Sequence, residues 1–166
     1  MFTETDRIRL LETIADSRIA RDQGRFPFAA QIVARDGTVL ARVINSVHAD
    51  CDPTAHAEVT AVRAAAKRLG RTDGLAGATI YASGEPCAMC AGAIHWAGLS
   101  RLVFAVGEER LARLYDNDPR LVPLRITARQ VLHWTGAQVD VLGPCLEEEG
   151  ALVHEGFWRH AHAEQA

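Results

Sequence analysis

The stretch EPCAMCAGAIHWAGLSRLVFAV, residues 85–106, predicts the central part of the fold. Pro86 opens a helix that we expect from Cys87 to about Ala97, because proline is favoured in the first helical turn. The run RLVFAV, from Arg101 to Val106, is strongly apolar and is typical of a buried strand. A helix followed directly by a buried strand indicates an α/β fold, with helices packed on a sheet.

The segments on either side repeat this alternation. Upstream, Asp52 and Pro53 predict the start of another helix, which runs to Leu69-Gly70, and the run ATIYAS (Ala78–Ser83) predicts a strand. Downstream, the connection to the last strand candidate, Gln138–Leu142, is long enough for a crossover. The last two strands should therefore be parallel.

The two ends of the chain complete the pattern. Thr3 and Asp6 resemble a capping box, and helical spacing of apolar residues continues from there to Gly24, through Ile8, Leu11, Ile14, Ala15 and Ile19. Residues 28–34 and 38–47 read as strands that flank Asp36-Gly37, a dipeptide that favours a tight antiparallel hairpin because it tolerates positive φ. Residues 147–162 predict a closing helix.

Taken together, these elements predict an α/β fold: a three-layer α-β-α sandwich around a central five-stranded mixed sheet. The first hairpin is antiparallel and the last two strands are parallel. No linker, low-complexity tract or repeat interrupts the 166 residues, so we expect a single domain over residues 1–166. In such folds, ligands bind where strands lead into the amino termini of helices.

Composition narrows the functional classes. No apolar run reaches the roughly 20 residues that a membrane-spanning helix needs, and charges interrupt the amino terminus, so we expect a cytoplasmic protein without a membrane partner. With 18 Lys and Arg against 21 Asp and Glu, the net charge is −3, which makes nucleic acid an unexpected partner. Four cysteines without signs of secretion indicate metal or redox chemistry rather than a disulfide scaffold.

His56 and the Cys87-x-x-Cys90 pair form a candidate metal site. Each lies at a predicted helix start, and three such ligands suit tetrahedral zinc with its fourth position open for catalysis. A helix amino terminus also favours the thiolate form of cysteine. Two alternatives stay open on spacing alone: a thioredoxin-like redox pair, and a closed structural zinc site with Cys51 as the fourth ligand.

Glu58 stands out on the helical wheel because it falls inside an apolar stripe, formed by Val59, Val62, Ala65, Ala66 and Leu69. An unpaired carboxylate in the core is costly, so Glu58 should have a role, such as moving a proton beside a metal-bound water. His56 fits the wheel less well, since it lies nearer Arg63 and Lys67. To bind zinc, it must depend on first-turn geometry that the wheel does not describe.

The segments DPTAHAEVTAVRAA (Asp52–Ala65) and EPCAMCAGAIHWAGLSRLVFAV closely resemble the zinc-dependent cytidine-deaminase-like superfamily, whose signature is H-x-E and P-C-x-x-C. The nearest branch holds guanine deaminases, tRNA adenosine deaminases and fungal cytosine deaminases. The resemblance is clear from about Phe26 to Val106. The carboxyl-terminal third, which usually completes the substrate pocket, matches only loosely.

The resemblance implies one Zn²⁺ per chain, held by His56, Cys87 and Cys90, with Cys51 as a bystander. It implies a zinc-bound hydroxide that attacks the ring carbon bearing the exocyclic amine, and Glu58 as the proton shuttle to the ring nitrogen and the departing ammonia. Backbone donors near Ala57 and Cys87 would hold the developing charge. The enzyme class implied is a hydrolytic nucleobase deaminase.

The same resemblance suggests substrate contacts in the pocket. Asn45 matches an asparagine that bonds the base, although a strand-end Asn can also make a local turn. Tyr115-Asp116 matches an aromatic–acidic pair of the guanine deaminases, with Asp118 as an alternative acid. The Phe157-Trp158 pair suggests a lid over the pocket, although plain packing explains aromatics at helical spacing equally well. The candidate substrate-binding residues are Asn45, Phe28, Ala57, Asp116, Trp96 and Phe157.

The substrate expected from these features is a free nucleobase or a related aminated heterocycle, with guanine, deaminated to xanthine, the best single candidate. His95-Trp96 resembles the Tyr-Trp of guanine deaminases, and the acidic pI near 6.1 fits a free base better than tRNA. Cytosine, a nucleoside or tRNA adenosine remain alternatives. A non-catalytic zinc-stabilised binding module is an alternative of another class. The resemblance also implies a homodimer.

Overall fold

The computed structural model contains one five-stranded sheet with strand order β2-β1-β3-β4-β5. It describes residues 1–115, 124, 126–134, 136 and 138–160. The strands are β1 (Ala29–Val33), β2 (Val39–Ile44), β3 (Thr79–Gly84), β4 (Arg101–Val106) and β5 (Asp140–Leu142). The first strand pairs antiparallel with both of its neighbours, whereas β3, β4 and β5 are parallel. The predicted mixed sheet is therefore confirmed.

Helices cover both faces of this sheet. They are α1 (Glu4–Asp22), α2 (Ala57–Leu69), α3 (Ala88–Trp96), α4 (Glu108–Leu114), α5 (Ala128–Trp134), α6 (Glu147–His154) and α7 (Phe157–His160). One core cluster joins the sheet to α2, α3 and α5, and the other joins it to α1, α4 and α6. This confirms the three-layer α-β-α sandwich. Among the helices described, none is long and apolar enough to cross a membrane.

The first hairpin forms as predicted, with Gly37 at φ +88° beside Asp36, whose carboxylate accepts the Thr38 N–H. The capping box of Thr3 and Asp6 is also present. The predicted apolar residues account for only part of the buried face of α1, however: Ile14 is buried, but Ile8 and Ile19 are about half exposed. The buried face of α1 is instead largely polar, and includes Asp6, Thr13, Asp16 and Ser17.

Hydrogen bonds across this interface explain the polar face of α1. The buried carboxylate of Asp6 accepts from the Tyr81 hydroxyl at 2.9 Å and from Arg101. The Gln31 amide donates to the Thr13 hydroxyl at 2.9 Å. Because Asp6, Thr13 and Asp16 have hydrogen-bond partners on the sheet, and the Ser17 hydroxyl donates to the Ile14 oxygen within the helix, the helix does not need a continuous apolar stripe.

Two helix boundaries differ from prediction. Helix α2 begins at Ala57, not at Asp52, because the Asp52 carboxylate accepts the N–H and hydroxyl of Thr54 and closes a separate turn. The closing helix is interrupted at Gly156, whose φ of +74° ends α6 and starts α7. Both differences matter for function, because they set the positions of His56 and of the last aromatic residues.

Candidate active site

Two helix amino termini meet at one edge of the sheet and bring the three predicted ligands together. His56 is the N-cap of α2 and Cys87 is the N-cap of α3, while Cys90 lies in the first turn of α3. Cys87 follows β3 after a loop of two residues, so the cluster stands at the carboxyl end of a parallel strand. That is the position at which α/β sheets bind ligands.

The distances within this cluster fit zinc. His56 Nδ1 lies 3.7 Å from Cys87 Sγ and 3.6 Å from Cys90 Sγ, and the two sulfurs are 3.6 Å apart. Bond lengths of about 2.3 Å to sulfur and about 2.0 Å to nitrogen in a tetrahedron place such ligands about 3.5–3.8 Å from one another. Two sulfurs and one imidazole nitrogen are also the ligand types that zinc prefers.

The charges around the cluster favour a cation. The hydrogen bond from Cys90 and the neighbouring His56 lower the pKa of the Cys87 thiol to about 4, against the effect of burial. The pKa of Cys90 is raised, by its bond to Cys87, by burial and by Glu58. Without a cation the second thiol therefore keeps its proton. A divalent metal replaces that proton and neutralises two thiolates beside a carboxylate.

Glu58 lies against the cluster, as the helical wheel predicted. Its side chain is 6% exposed, and its Oε2 is 3.4 Å from Cys90 Sγ. Burial raises its pKa. The buried face of α2 consists of Ala57, Glu58, Ala61 and Ala65, so small residues surround the carboxylate rather than the larger apolar ones of the predicted stripe. The helical wheel does not apply to His56, because His56 is the N-cap of α2 and its backbone is extended rather than helical.

Cys51 takes no part in this cluster. It lies on an exposed loop, and its sulfur approaches the backbone oxygen of His48 at 3.8 Å. Among the residues that the structure describes, the group able to hold a metal consists of His56, Cys87 and Cys90, whose ligand atoms lie within 4.8 Å of one another. The geometry therefore favours an open three-ligand site over a closed structural one.

A family comparison agrees with this geometry. Residues 4–106, well over half of the chain, match the model of the cytidine and deoxycytidylate deaminase zinc-binding region. The chain belongs to this deaminase family. The family and the His/Cys/Cys cluster together support one zinc ion in each chain.

The relatives of this chain are named for different substrates. The deaminase is 40% identical over 156 residues to a probable cytosine deaminase of Schizosaccharomyces pombe, with 94% of each chain covered. It is 36% identical over 155 residues to a tRNA-specific adenosine deaminase of Agrobacterium fabrum, covering 93% of this chain and 95% of the relative. A solved guanine deaminase of Nitrosomonas europaea superposes with a TM-score of 0.76 at 25% identity, covering 91% of this chain and 83% of that one.

Three of the predicted substrate contacts are buried or half-buried, and Ala57 and Phe28 lie beside elements that carry the cluster. Ala57 is fully buried in the first turn of α2, directly between His56 and Glu58. The Phe28 ring lies against Gly84 at the end of β3, where an added Cβ would be 3.0 Å from the ring. Asn45 is buried, and its Oδ1 accepts the Val47 N–H at 3.2 Å, which is the local turn that the sequence allowed.

Trp96 does not join the site. It ends α3, two helical turns from Cys90, and its side chain is 85% exposed. Cys87 and Cys90 occupy the opposite end of this helix, so the contact from Trp96 to substrate stays a prediction that one chain does not support. Asp116 and Asp118 lie outside the described residues.

The carboxyl-terminal aromatics are arranged differently from the prediction. Trp158, not Phe157, is the buried member of the pair, at 2% exposure, and its ring packs on Phe26 and Tyr115. Burial raises the pKa of Tyr115, and the negative charges of Glu108, Glu58 and Cys87 raise it further. The ring centroid of Trp158 also lies 6.3 Å from that of Phe28, which packs against Gly84 in the segment that leads to Cys87. The break at Gly156, which reorients α7, was not evident from helical spacing alone.

Glu85 is the residue of the site region that sequence reasoning missed. It lies directly before Pro86 and Cys87, and its two carboxylate oxygens accept backbone N–H groups from α4 and α5. The one feature of the sequence that could have drawn attention to Glu85 is its position as an acidic residue beside the metal-binding motif. Its partners, however, are 23 and 43 residues away, so no local pattern could identify them.

Proposed function

We propose that this family member is a hydrolytic deaminase of a free nucleobase, with guanine as the leading candidate. In this proposal His56, Cys87 and Cys90 hold the zinc ion and Glu58 transfers protons. The observation that carries the reaction type is the buried Glu58 carboxylate, 3.4 Å from the sulfur of Cys90. Because burying a carboxylate is costly, this position supports a role for Glu58 on a group beside the metal.

A zinc ion held by His56, Cys87 and Cys90 would supply a Lewis acid and would lower the pKa of bound water toward neutrality. Glu58 then takes up the proton that water loses, at the carboxylate, and delivers it to the ring nitrogen of the base. The water oxygen forms the new C–O bond to the ring carbon. Glu58 then takes the second proton of that oxygen and delivers it to the exocyclic amine, so that the C–N bond breaks and ammonia leaves. The raised pKa of Glu58, caused by burial, suits a group that must both accept and release a proton.

Aromatic side chains that reach the segment before Cys87 support a planar substrate. Phe28 lies against Gly84, its ring centroid is 6.3 Å from that of Trp158, and Trp158 meets Tyr115 edge-on with centroids 4.7 Å apart. Phe26 stacks on the other side of Trp158, with centroids 5.6 Å apart. Such rings bind the faces of a heterocycle. The net charge of −3 favours a free base over a polynucleotide, which needs phosphate contacts.

Cytosine is the second candidate, because the probable cytosine deaminase of S. pombe matches over 94% of both chains. Guanine leads because His95-Trp96 resembles the Tyr-Trp of guanine deaminases, and the solved guanine deaminase of N. europaea shares the fold over 91% of this chain. The tRNA-specific relative of A. fabrum makes an anticodon stem-loop the necessary third substrate in any test.

The decisive test of the substrate is ammonia release by the purified, zinc-loaded protein. Guanine, cytosine, adenine, their nucleosides, aminated triazines and pterins, and a tRNA anticodon stem-loop are compared at equal concentrations. We expect turnover of a free base, with guanine fastest. Turnover of the stem-loop alone would contradict a free base as the substrate class. Turnover of cytosine alone would make cytosine, not guanine, the substrate.

We also propose a homodimer. The described residues expose Met89 and Trp96 on α3 and Trp134 on α5, and both tryptophans are more than four-fifths exposed. Sedimentation equilibrium measures the mass directly. A mass of twice 18.1 kDa is expected, and a monomer at micromolar concentration would contradict it.

A further inference from the structure

Glu85 connects three separate elements through its own atoms. Its Oε2 accepts the N–H of Glu108 at 2.9 Å, and its Oε1 accepts the N–H of Ala128 at 3.0 Å. Its backbone N–H donates to the Val106 oxygen at 2.7 Å. One residue thus joins the loop that carries Cys87 to the end of β4 and to the starts of α4 and α5.

The two N–H groups that Glu85 binds are the first ones of their helices. Glu108 opens α4 and Ala128 opens α5, and the first N–H groups of a helix have no partner inside it. A carboxylate is favoured at both positions, because helix amino termini carry partial positive charge. The Gly107 N-cap of α4 offers no side chain, so the cap comes from Glu85, more than 20 residues away.

The helices held by Glu85 adjoin elements of the site. Helix α4 is followed by its C-cap Tyr115, which forms an aromatic wall with Trp158 and Phe28, and Phe28 lies against Gly84, three residues before Cys87. Helix α5 packs on α3, the helix of the two cysteines, and its buried Ala128 belongs to the same core cluster as Ala91 and Ile94. A shift of Glu85 would therefore move the aromatic wall relative to the metal ligands.

A carboxylate is needed for this double contact, because a glutamine has one accepting oxygen only. The side-chain NH₂ of a glutamine would face one of the two backbone N–H groups, donor against donor. The Glu108 carboxylate lies nearby: burial, and then the charge of Glu85, raise the pKa of Glu108 to about 7. Satisfying both N–H groups explains why the charged residue is present.

We propose that Glu85 is a positioning residue, which fixes the aromatic wall at Tyr115 against the metal ligands by capping α4 and α5 together. This inference rests on the proposed function. It assigns to Glu85 an effect on substrate binding rather than on the chemical step, because Glu85 acts through α4 and α5 and not on the reacting atoms.

The contact itself is tested by amide hydrogen exchange in Glu85→Gln and Glu85→Ala, with Glu109→Gln as the matched control. Glu109 lies on the same helix, is exposed and pairs with Arg113. Loss of a hydrogen bond to a charged acceptor should speed exchange by about tenfold or more. We expect faster exchange at Glu108 or Ala128 in Glu85→Gln and at both in Glu85→Ala. Wild-type exchange at both amides in both variants would overturn the contact.

Kinetics and zinc content test the positioning role in the same proteins. We expect Glu85→Gln to keep one zinc per chain and nearly all of kcat, while KM for the base rises by about tenfold, as binding energy of that order is lost. A variant that is merely unstable would lose active protein at unchanged KM. An unchanged KM, or a loss of zinc in proportion to activity, would overturn the positioning role. If the wild type turns over no base, the proposed function fails, while hydrogen exchange still decides the contact.

Discussion

At the scale of single residues, Cys51 separates an open catalytic zinc site from a closed structural one. Cys51 is exposed and lies apart from the His56, Cys87 and Cys90 cluster. We expect Cys51→Ser to retain one zinc per chain and full turnover, whereas Cys90→Ser loses the metal, as measured by metal analysis of the purified proteins. Loss of zinc from Cys51→Ser would restore the structural alternative.

His154 gives the molecule a predictable response to acid. Its side chain is 1% exposed, and neither ring nitrogen has a hydrogen-bond partner among the described residues. Burial, together with the nearby charge of Arg21, lowers its pKa from 6.5 to about 4. The unfolded chain therefore binds a proton before the folded one does, and the free energy of unfolding falls as the pH drops from about 6.5 to about 4.

Replacing His154 with leucine should remove this part of the acid response, about 3 kcal/mol between neutral pH and pH 4. Urea unfolding at a series of pH values measures it as the difference between the two proteins, so that proton uptake shared by both cancels. The exposed His133 provides the control, and His133→Leu should keep the wild-type slope. Parallel pH profiles for wild type and His154→Leu would contradict the assignment.

The sequence alone predicted the residues whose chemistry is local. Cys87 and Cys90 share one helical turn, and the polar Glu58 interrupts an apolar stripe, so short spacing was sufficient for both. Glu85 and Trp158 could not be predicted in the same way. Their roles come from partners that are distant in the chain, and no periodicity encodes such contacts.

At the scale of elements, the packing of α6 on β4 depends on a glycine. A Cβ added at Gly150 would lie 2.6 Å from the Val106 side chain and 3.2 Å from Ala105. We expect Gly150→Ala to lower the free energy of unfolding by about 1–3 kcal/mol through overpacking. Gly92 of α3 is the matched control, since nothing lies within 4 Å of an added Cβ there.

Gly92→Ala should raise the free energy of unfolding by about 0.5–1 kcal/mol, because alanine favours the helix. Urea denaturation of both variants decides the comparison. An unchanged free energy of unfolding in Gly150→Ala would mean that α6 can move away from β4.

Element types were predictable wherever the pattern of apolar residues was strong, as in β4, whose bounds match the prediction. Boundaries were less predictable where side chains compete for backbone groups. Asp52 looked like the cap of α2 but closes its own turn with Thr54, which leaves His56 to cap the helix. The polar buried face of α1 could not be predicted either, because Asp6 accepts hydrogen bonds from Tyr81 and Arg101, which lie close to it only in the folded protein.

At the scale of the whole molecule, zinc should stabilise the fold. Removal of the metal leaves two cysteines and Glu58 close together in a buried site. Zinc at about 1,000 times its Kd contributes about 4 kcal/mol to the free energy of unfolding. We expect a strong chelator to lower the Tm, and added zinc to restore it, in a thermal scan.

Cys90→Ser serves as the control for this experiment, because its Tm should not respond to the chelator. A wild-type Tm that is unchanged after the metal has been removed would show that zinc does not contribute to stability, and that the cluster is held by the fold alone.

Ammonia release and zinc content, measured side by side in wild type and Glu58→Gln, test the assignment of a zinc-dependent deaminase most directly. We expect both proteins to hold one zinc per chain, and Glu58→Gln to release ammonia about 10²–10⁴-fold more slowly, because it lacks the general acid–base group. Zinc-loaded Glu58→Gln that deaminates the base at the wild-type rate would contradict the assignment.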